Sequence, residues 1–193
     1  MNSTLISKKE QTRQRIVQAA SRAMRRSGFA GVGVAEVMKE AGLTHGGFYA
    51  HFPSRDALLA EAMVYASKDS RRLVNSYVDA LAKDGCSEFR AFVEAYLSDS
   101  QIIDCENGCP VAALSGEMRH QASEVLASSR YAIEKLHQAV SALLPQDSAP
   151  GAVWVVAGTL VGAMQLARTL GDNPEGRAVL TATKADLIAR FDR

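Results

Sequence analysis

Two stretches of this 193-residue chain hold side chains whose types and spacing suit chemistry. The first runs Thr44-His45-Gly46-Gly47-Phe48-Tyr49-Ala50-His51. Thr44, His45, Tyr49 and His51 are short or planar hydrogen-bonding groups, of the kind that reach base edges and phosphates. Glycines such as Gly46 and Gly47 let a backbone come close to a bulky partner, and helix N-termini favour phosphate. Each costs about 1 kcal/mol relative to alanine inside a helix, so a pair in one turn is an odd choice for a core element. The second stretch is Cys105-Glu106-Asn107-Gly108-Cys109-Pro110. Asn107-Gly108 is a turn signal and Pro110 opens a helix. Cys109 therefore falls at a helix N-terminus, where the dipole stabilises a thiolate and raises its reactivity. Asp104 and Glu106 work against this, since neighbouring acids raise a thiol's pKa. Three readings of the cysteines stay open: plain structural residues, a redox or electrophile sensor using Cys109 and Cys105, and a metal site adding His120 or Cys86. The spacings match no standard zinc pattern, so no metal is assigned.

The elements that must position these groups all read at helical period. From Lys9 to Arg26, the residues Ile16, Val17, Ala20, Ala23 and Met24 form one stripe, and Gly28 supplies the stop. Val34, Val37, Met38 and Ala41 make a short amphipathic helix that Gly42 terminates. Thr44 stands as an N-cap with Leu43 before it and Phe48 four positions on, the arrangement of a hydrophobic staple. A helix, a short turn at Gly42-Leu43 and a second short helix make a helix-turn-helix by spacing alone. Phe48 and Phe52 are expected in its core. Pro53 and Ser54 end the unit, and Ser54 caps a long helix from Arg55 to Leu81. Further helices are predicted at Ser87–Ser98, Pro110–His120, Ser123–Leu144, Ala149–Leu170 and Pro174–Phe191, leaving the Asp99–Cys109 stretch unplaced. Asn173-Pro174 is a strong start signal.

Charge is unevenly spread. Residues 1–56 carry nine Lys/Arg against four acids, a surplus of five, while the rest carries thirteen against seventeen. A basic end on an acidic chain fits a polyanionic partner, although a solvated charged face fits it equally. The opening residues lack an apolar leader, and three cysteines point to a reducing cytoplasm. The longest apolar run, Ala152 to Ala167, falls short of the about 20 residues a membrane span needs and reads as a buried helix. No phosphate-binding glycine loop, paired carboxylates or nucleophile motif is present, which sets aside an enzyme; a helical adaptor that borrows the motif is the other rival.

Gly28-Phe29-Ala30-Gly31, Val34-Ala35-Glu36-Val37-Met38, Ala41-Gly42-Leu43-Thr44, Gly47-Phe48-Tyr49-Ala50-His51-Phe52 and Ser54-Arg55 with Leu58 together resemble the N-terminal signature of the TetR family of bacterial regulators. The resemblance implies an all-α chain: a three-helix DNA-binding domain over residues 1–54, and a helical effector-binding and dimerisation domain over 55–193. It implies a homodimer on a palindromic operator. Thr44, His45 and Gly46 would face bases beside Gly47, Tyr49 and His51 would face phosphates, and Arg55 would stand in for the family's usual lysine as a phosphate contact. Gly33 departs from the pattern, taking the place of a Thr or Ser that caps the second helix. The second domain is alike mostly in architecture. The resemblance implies dimerisation through the last two helices, where Gly158 and Gly162 lie four apart. It also implies a cavity for a small-molecule effector, with Met63, Tyr77, Phe92, Tyr96, Met118, Tyr131, Trp154 and Met164 as candidate lining. Gly108-Cys109-Pro110-Val111 is similar to a segment of a subgroup that includes electrophile-sensing repressors. The expected protein is a cytoplasmic repressor that binds no cofactor and leaves its operator on binding an effector.

Overall fold

The computed structural model describes residues 7–82 and 85–192. The opening residues 1–6, which bear on the expected lack of a leader, lie outside that range.

Helix α1, Lys8–Ser27, starts where the Ser7 hydroxyl accepts the Glu10 N–H at 3.2 Å. Every member of its predicted stripe is buried. It stops at Gly28, whose φ of +73° suits a residue without a Cβ. Helix α2, Val34–Glu40, begins at Gly33 with no side-chain cap, as its sequence implies. It ends where Gly42, at φ +72°, turns the chain and the Leu43 N–H returns to the Met38 carbonyl at 2.8 Å. That bond satisfies an orphan carbonyl and fixes the turn.

The next element is a 3-10 helix, His45–Ala50, rather than an α-helix. Thr44 holds the N-cap position, but its hydroxyl makes no cap bond; the turn closes through backbone, from the Gly47 N–H to the Thr44 carbonyl. Six residues with two glycines in the first turn cannot build a stable α-helical ladder, and a short 3-10 segment suffices to bury Phe48.

Helix α3, Arg55–Ala82, starts under the Ser54 hydroxyl, which accepts the Ala57 N–H at 2.9 Å. Five helices complete the main body: α4 (Glu88–Tyr96), α6 (Pro110–Met118), α7 (Ser123–Leu143), α8 (Ala152–Leu170) and α9 (Pro174–Phe191). The unplaced stretch contains a one-turn helix, α5 (Ser100–Ile103), then a turn in which the Asp104 carboxylate accepts bonds from Asn107. The Asn173 side chain caps α9 by accepting the Glu175 and Gly176 N–H groups, with Pro174 at the first position.

Two cores divide the molecule. One joins α1, α2, Phe48 and Phe52 to the first turns of α3 (Leu58, Leu59, Ala62, Met63, Ala66) and to α6 and α7. The other lies among α4, α7, α8 and α9. The head is thus cored partly by residues beyond position 54, and Cys109 packs against both cores.

Helix α8 is buried on one face only within the chain. Its inner face (Ala152, Val156, Leu160, Ala163, Met164, Ala167) is buried, whereas Trp154, Val155, Leu166 and Leu170 are exposed. Its length and mean hydropathy of 1.4 would serve a membrane span, yet a third of it is packed inside the molecule.

Candidate nucleic-acid interface and internal cavity

The helix-turn-helix divides its residues cleanly between support and surface. Phe48 and Phe52 are each 1% exposed and stack on one another. Thr44, His45, Gly46 and Tyr49 all face outward, and Tyr49 is 74% exposed. Its ring and hydroxyl are thus free to meet a partner. A Cβ on Gly46 would touch nothing, and one on Gly47 would make ordinary contact with Met38. Neither glycine has a positive φ. The fold therefore does not require them, and their bareness acts toward whatever approaches from outside.

His51 is half-buried with Nδ1 lacking a partner, while its carbonyl accepts from Arg13 at 2.9 Å. Arg13 also lies 4.2 Å from the Phe52 ring centre and pairs with Glu61. This α1 residue staples the recognition segment to α3. Sequence reasoning missed it because it counted only as one base among nine.

The basic surplus is largely wiring. Arg22 pairs with Glu40, Arg26 with Glu106, and Arg25 is buried among Ser21, Asp69 and the Gly108 carbonyl. Burial lowers the Arg25 pKa from its ordinary value, and Asp69 opposes that shift. Arg55, expected at a phosphate, donates to the carbonyls of Phe29 and Val32 and so pins the loop between α1 and α2. Among the described residues, Lys8, Lys9, Arg15 and Lys39 form no ion pair and remain available to a polyanion.

The second domain holds a cavity of about 50 Å³ between α3, α4, α6, α7 and α8. Of the eight candidate lining residues, Phe92, Tyr96 and Met164 are there. Met63 and Met118 instead fill the head's core, because the first turns of α3 and the Val111, Leu114 and Met118 face of α6 pack into it. Tyr77 and Trp154 are 47% and 57% exposed, and the Trp154 ring rests on His137. Tyr131 lies under Lys135 on α7. The lining the sequence did not reveal includes the polar groups Ser67, Ser70, Arg71, Gln101, Asn107, Lys135 and Arg168, beside Cys109.

Within the cavity, the Tyr96 hydroxyl neighbours the Cys109 thiol and the Arg168 guanidinium, and neither completes a regular hydrogen bond with it. Burial above all, then the nearness of Cys109, pushes the Tyr96 phenol well above its ordinary pKa, so it stays a neutral donor. Cys109 occupies the N-cap of α6 as expected, half-buried. The Cys105 thiol points back to the Ile102 carbonyl at 3.6 Å. The acids expected to oppose the thiol are engaged elsewhere, Asp104 with Asn107 and Glu106 with Arg26. Arg119 and His120 bond to each other beyond the opposite end of α6, away from Cys109. Among the described residues no three His, Cys, Asp or Glu side chains gather to hold a metal.

Comparison with known proteins places this geometry. Solved structures share the fold over nearly the whole chain. The reduced form of E. coli NemR superposes with a TM-score of 0.72 at 18% identity, covering 94% of this chain and 97% of that one. A TetR-family regulator from Agrobacterium tumefaciens gives 0.74 at 19% identity, covering 95% and 98%. An uncharacterised HTH-type transcriptional regulator of Mycobacterium tuberculosis is 27% identical over 171 residues, 83% of this chain and 86% of the relative. LmrA, an HTH-type transcriptional regulator of Bacillus subtilis, is 27% identical over 107 residues, 55% of this chain and 56% of its own. Residues 16 to 62 match the sequence profile of the bacterial regulatory proteins of the tetR family. That span runs from the first buried residue of α1 to the third turn of α3, the segment that builds the head and its exposed surface, and the chain therefore carries the DNA-binding domain of the tetR family of bacterial regulatory proteins.

Proposed function

We propose that this regulator is a cytoplasmic homodimeric repressor, holding a palindromic operator through two His45–Ala50 segments and releasing it when an effector fills the cavity. One observation carries the reading: the roof of the cavity is bonded directly to the DNA-binding head. Gly108 lines the cavity, and its carbonyl accepts from Arg25 on α1 at 3.1 Å. Two residues earlier, Glu106 pairs with Arg26. At the other end of α6, the Glu117 carboxylate accepts the Phe29 N–H at 3.0 Å.

The cavity's size supplies the force. At about 50 Å³ it is smaller than the roughly 150 Å³ apolar cavity that accepts benzene. Any organic effector must push its walls apart. Those walls include α3, which runs about 28 Å from Arg55 in the head to Val74 at the cavity (19 residues at 1.5 Å each). Moving α3 and the 104–109 roof moves both attachments of the head. In a dimer, that changes the spacing of two recognition segments that must match grooves about 34 Å apart. The effector acts by favouring the widened state, to the extent that it binds it better.

The dimer reading rests on the uncovered face of α8. Trp154, Gly158, Gly162, Leu166 and Leu170 follow one another along it, and α9 adds exposed Ala178, Ala182, Ala185 and Ala189. A Cβ on Gly158 or Gly162 would meet nothing within the chain. An apolar stripe floored by glycine and alanine suits close helix packing against a second copy.

The test uses operator DNA recovered from a random pool by binding to the full-length protein. Affinity should fall steeply and linearly on a log–log plot against salt. Affinity that is insensitive to salt would refute phosphate-based binding. A second reading, thiol sensing, is favoured by Cys109 lining the cavity beside Tyr96. On that reading, electrophile-induced release disappears in Cys109→Ser and persists in Cys105→Ser.

A further inference from the structure

We propose that the ligand of the cavity is a small organic acid: an apolar body seated against Phe92, Leu136 and Met164, with its carboxylate held by the Arg168 guanidinium and the Tyr96 hydroxyl. The inference rests on the effector reading above and adds the chemical class.

Three observations converge. First, the lining carries three cations, Arg71, Lys135 and Arg168, and no aspartate or glutamate. Second, both terminal nitrogens of Arg168 are buried without a hydrogen-bond partner. Its Nε alone is used, donating to the Gln101 carbonyl at 3.0 Å. Gly108 leaves room for the guanidinium, since a Cβ there would stand 2.5 Å from Nη2. Third, the Tyr96 hydroxyl beside it is also buried without a regular partner.

Arg25 shows what this fold does with a buried guanidinium that is purely structural. All three of its nitrogens are bonded, to Ser21, the Gly108 carbonyl and Asp69. Arg168 has a bond on one nitrogen only, and among the described residues it forms no ion pair. Buried unpaired donors on a cation are costly, and a water molecule can satisfy their geometry without neutralising the charge. A carboxylate does both, because its two oxygens match the parallel N–H pair of a guanidinium. The neutral phenol of Tyr96 adds a donor on the same side. Phe92, Leu136 and Met164 give the rest of the ligand an apolar wall to lie against.

The experiment is calorimetric titration of the full-length protein with 4-phenylbutyrate and octanoate, each beside its neutral primary amide. Release of selected operator DNA is measured in parallel. The acids should bind at least about tenfold more tightly than the amides, as loss of a charge-assisted hydrogen bond implies. Arg168→Gln should weaken the acids to the level of the amides, and Arg168→Lys should keep part of the preference. The acid–amide comparison is made on the unaltered protein, so it holds even if a variant misfolds. Equal binding of acids and amides overturns the proposal and leaves a neutral effector in the same cavity. Failure of both acids to bind at millimolar concentration also overturns it. Acid-selective binding without DNA release upholds the site and overturns the effector reading instead.

Discussion

Gly46 and Tyr49 allow the proposed DNA surface to be tested apart from the fold. Tyr49 stands free in solvent and a Cβ on Gly46 meets nothing. Gly46→Leu should therefore leave the thermal midpoint within a few degrees of the parent while abolishing operator binding, because the added side chain projects into the DNA. Tyr49→Ala should weaken binding to all DNA by a similar factor at every salt concentration, as loss of an uncharged phosphate contact does. Arg55 behaves differently. It pins the carbonyls of Phe29 and Val32, so Arg55→Ala should lose about 1–2 kcal/mol of stability along with DNA affinity. Denaturant unfolding beside anisotropy distinguishes the two cases. Unchanged stability in Arg55→Ala would return that residue to a phosphate role alone.

Helix α1 joins the two halves of the molecule. Its outer turns belong to the head, while Arg25 and Arg26 reach the 104–109 roof of the cavity. Arg25→Ala should cost about 3 kcal/mol, the lower end for breaking a buried ion pair, because Asp69 keeps Arg72 as a partner. The same variant should bind operator but respond poorly to any effector, since one tie between roof and head is gone. Effector response equal to that of the parent would show that α3 alone carries the signal. None of this was legible from the charge pattern. The surplus over residues 1–56 pointed to a polyanion, yet five of those nine bases are committed to internal partners, with long-range hydrogen bonds spanning 18 to 83 positions.

At the scale of the whole molecule, the proposed dimer rests on the uncovered apolar face of α8. Gly162→Arg should leave the monomer's own packing intact, since the site has open space, and should yield monomers or insoluble protein in place of dimers. Light scattering reads the outcome directly. A soluble dimer of parental size would place the interface elsewhere. Operator affinity should fall with the dimer, because two linked heads bind as one unit and a single head does not.

The helix-turn-helix was readable from sequence because its signals act within a few residues. Gly28 and Gly42 stop helices, Ser54 caps one, and Phe48 and Phe52 bury themselves against the nearest stripe. Even the shift of His45–Ala50 to a 3-10 helix follows from two adjacent glycines and short length. The second domain resisted the same treatment. Helix α8 is apolar on most sides, so its composition offers no preferred face. Only packing against α6, α7 and α9 turns Met164 inward and Trp154 outward. Tyr96 was expected in the cavity, but the Arg168 beside it was not, because the two come together only from helices about seventy residues apart. Capping and periodicity are local properties of the chain. Which polar atoms end up buried without partners is settled only when distant helices close on one another.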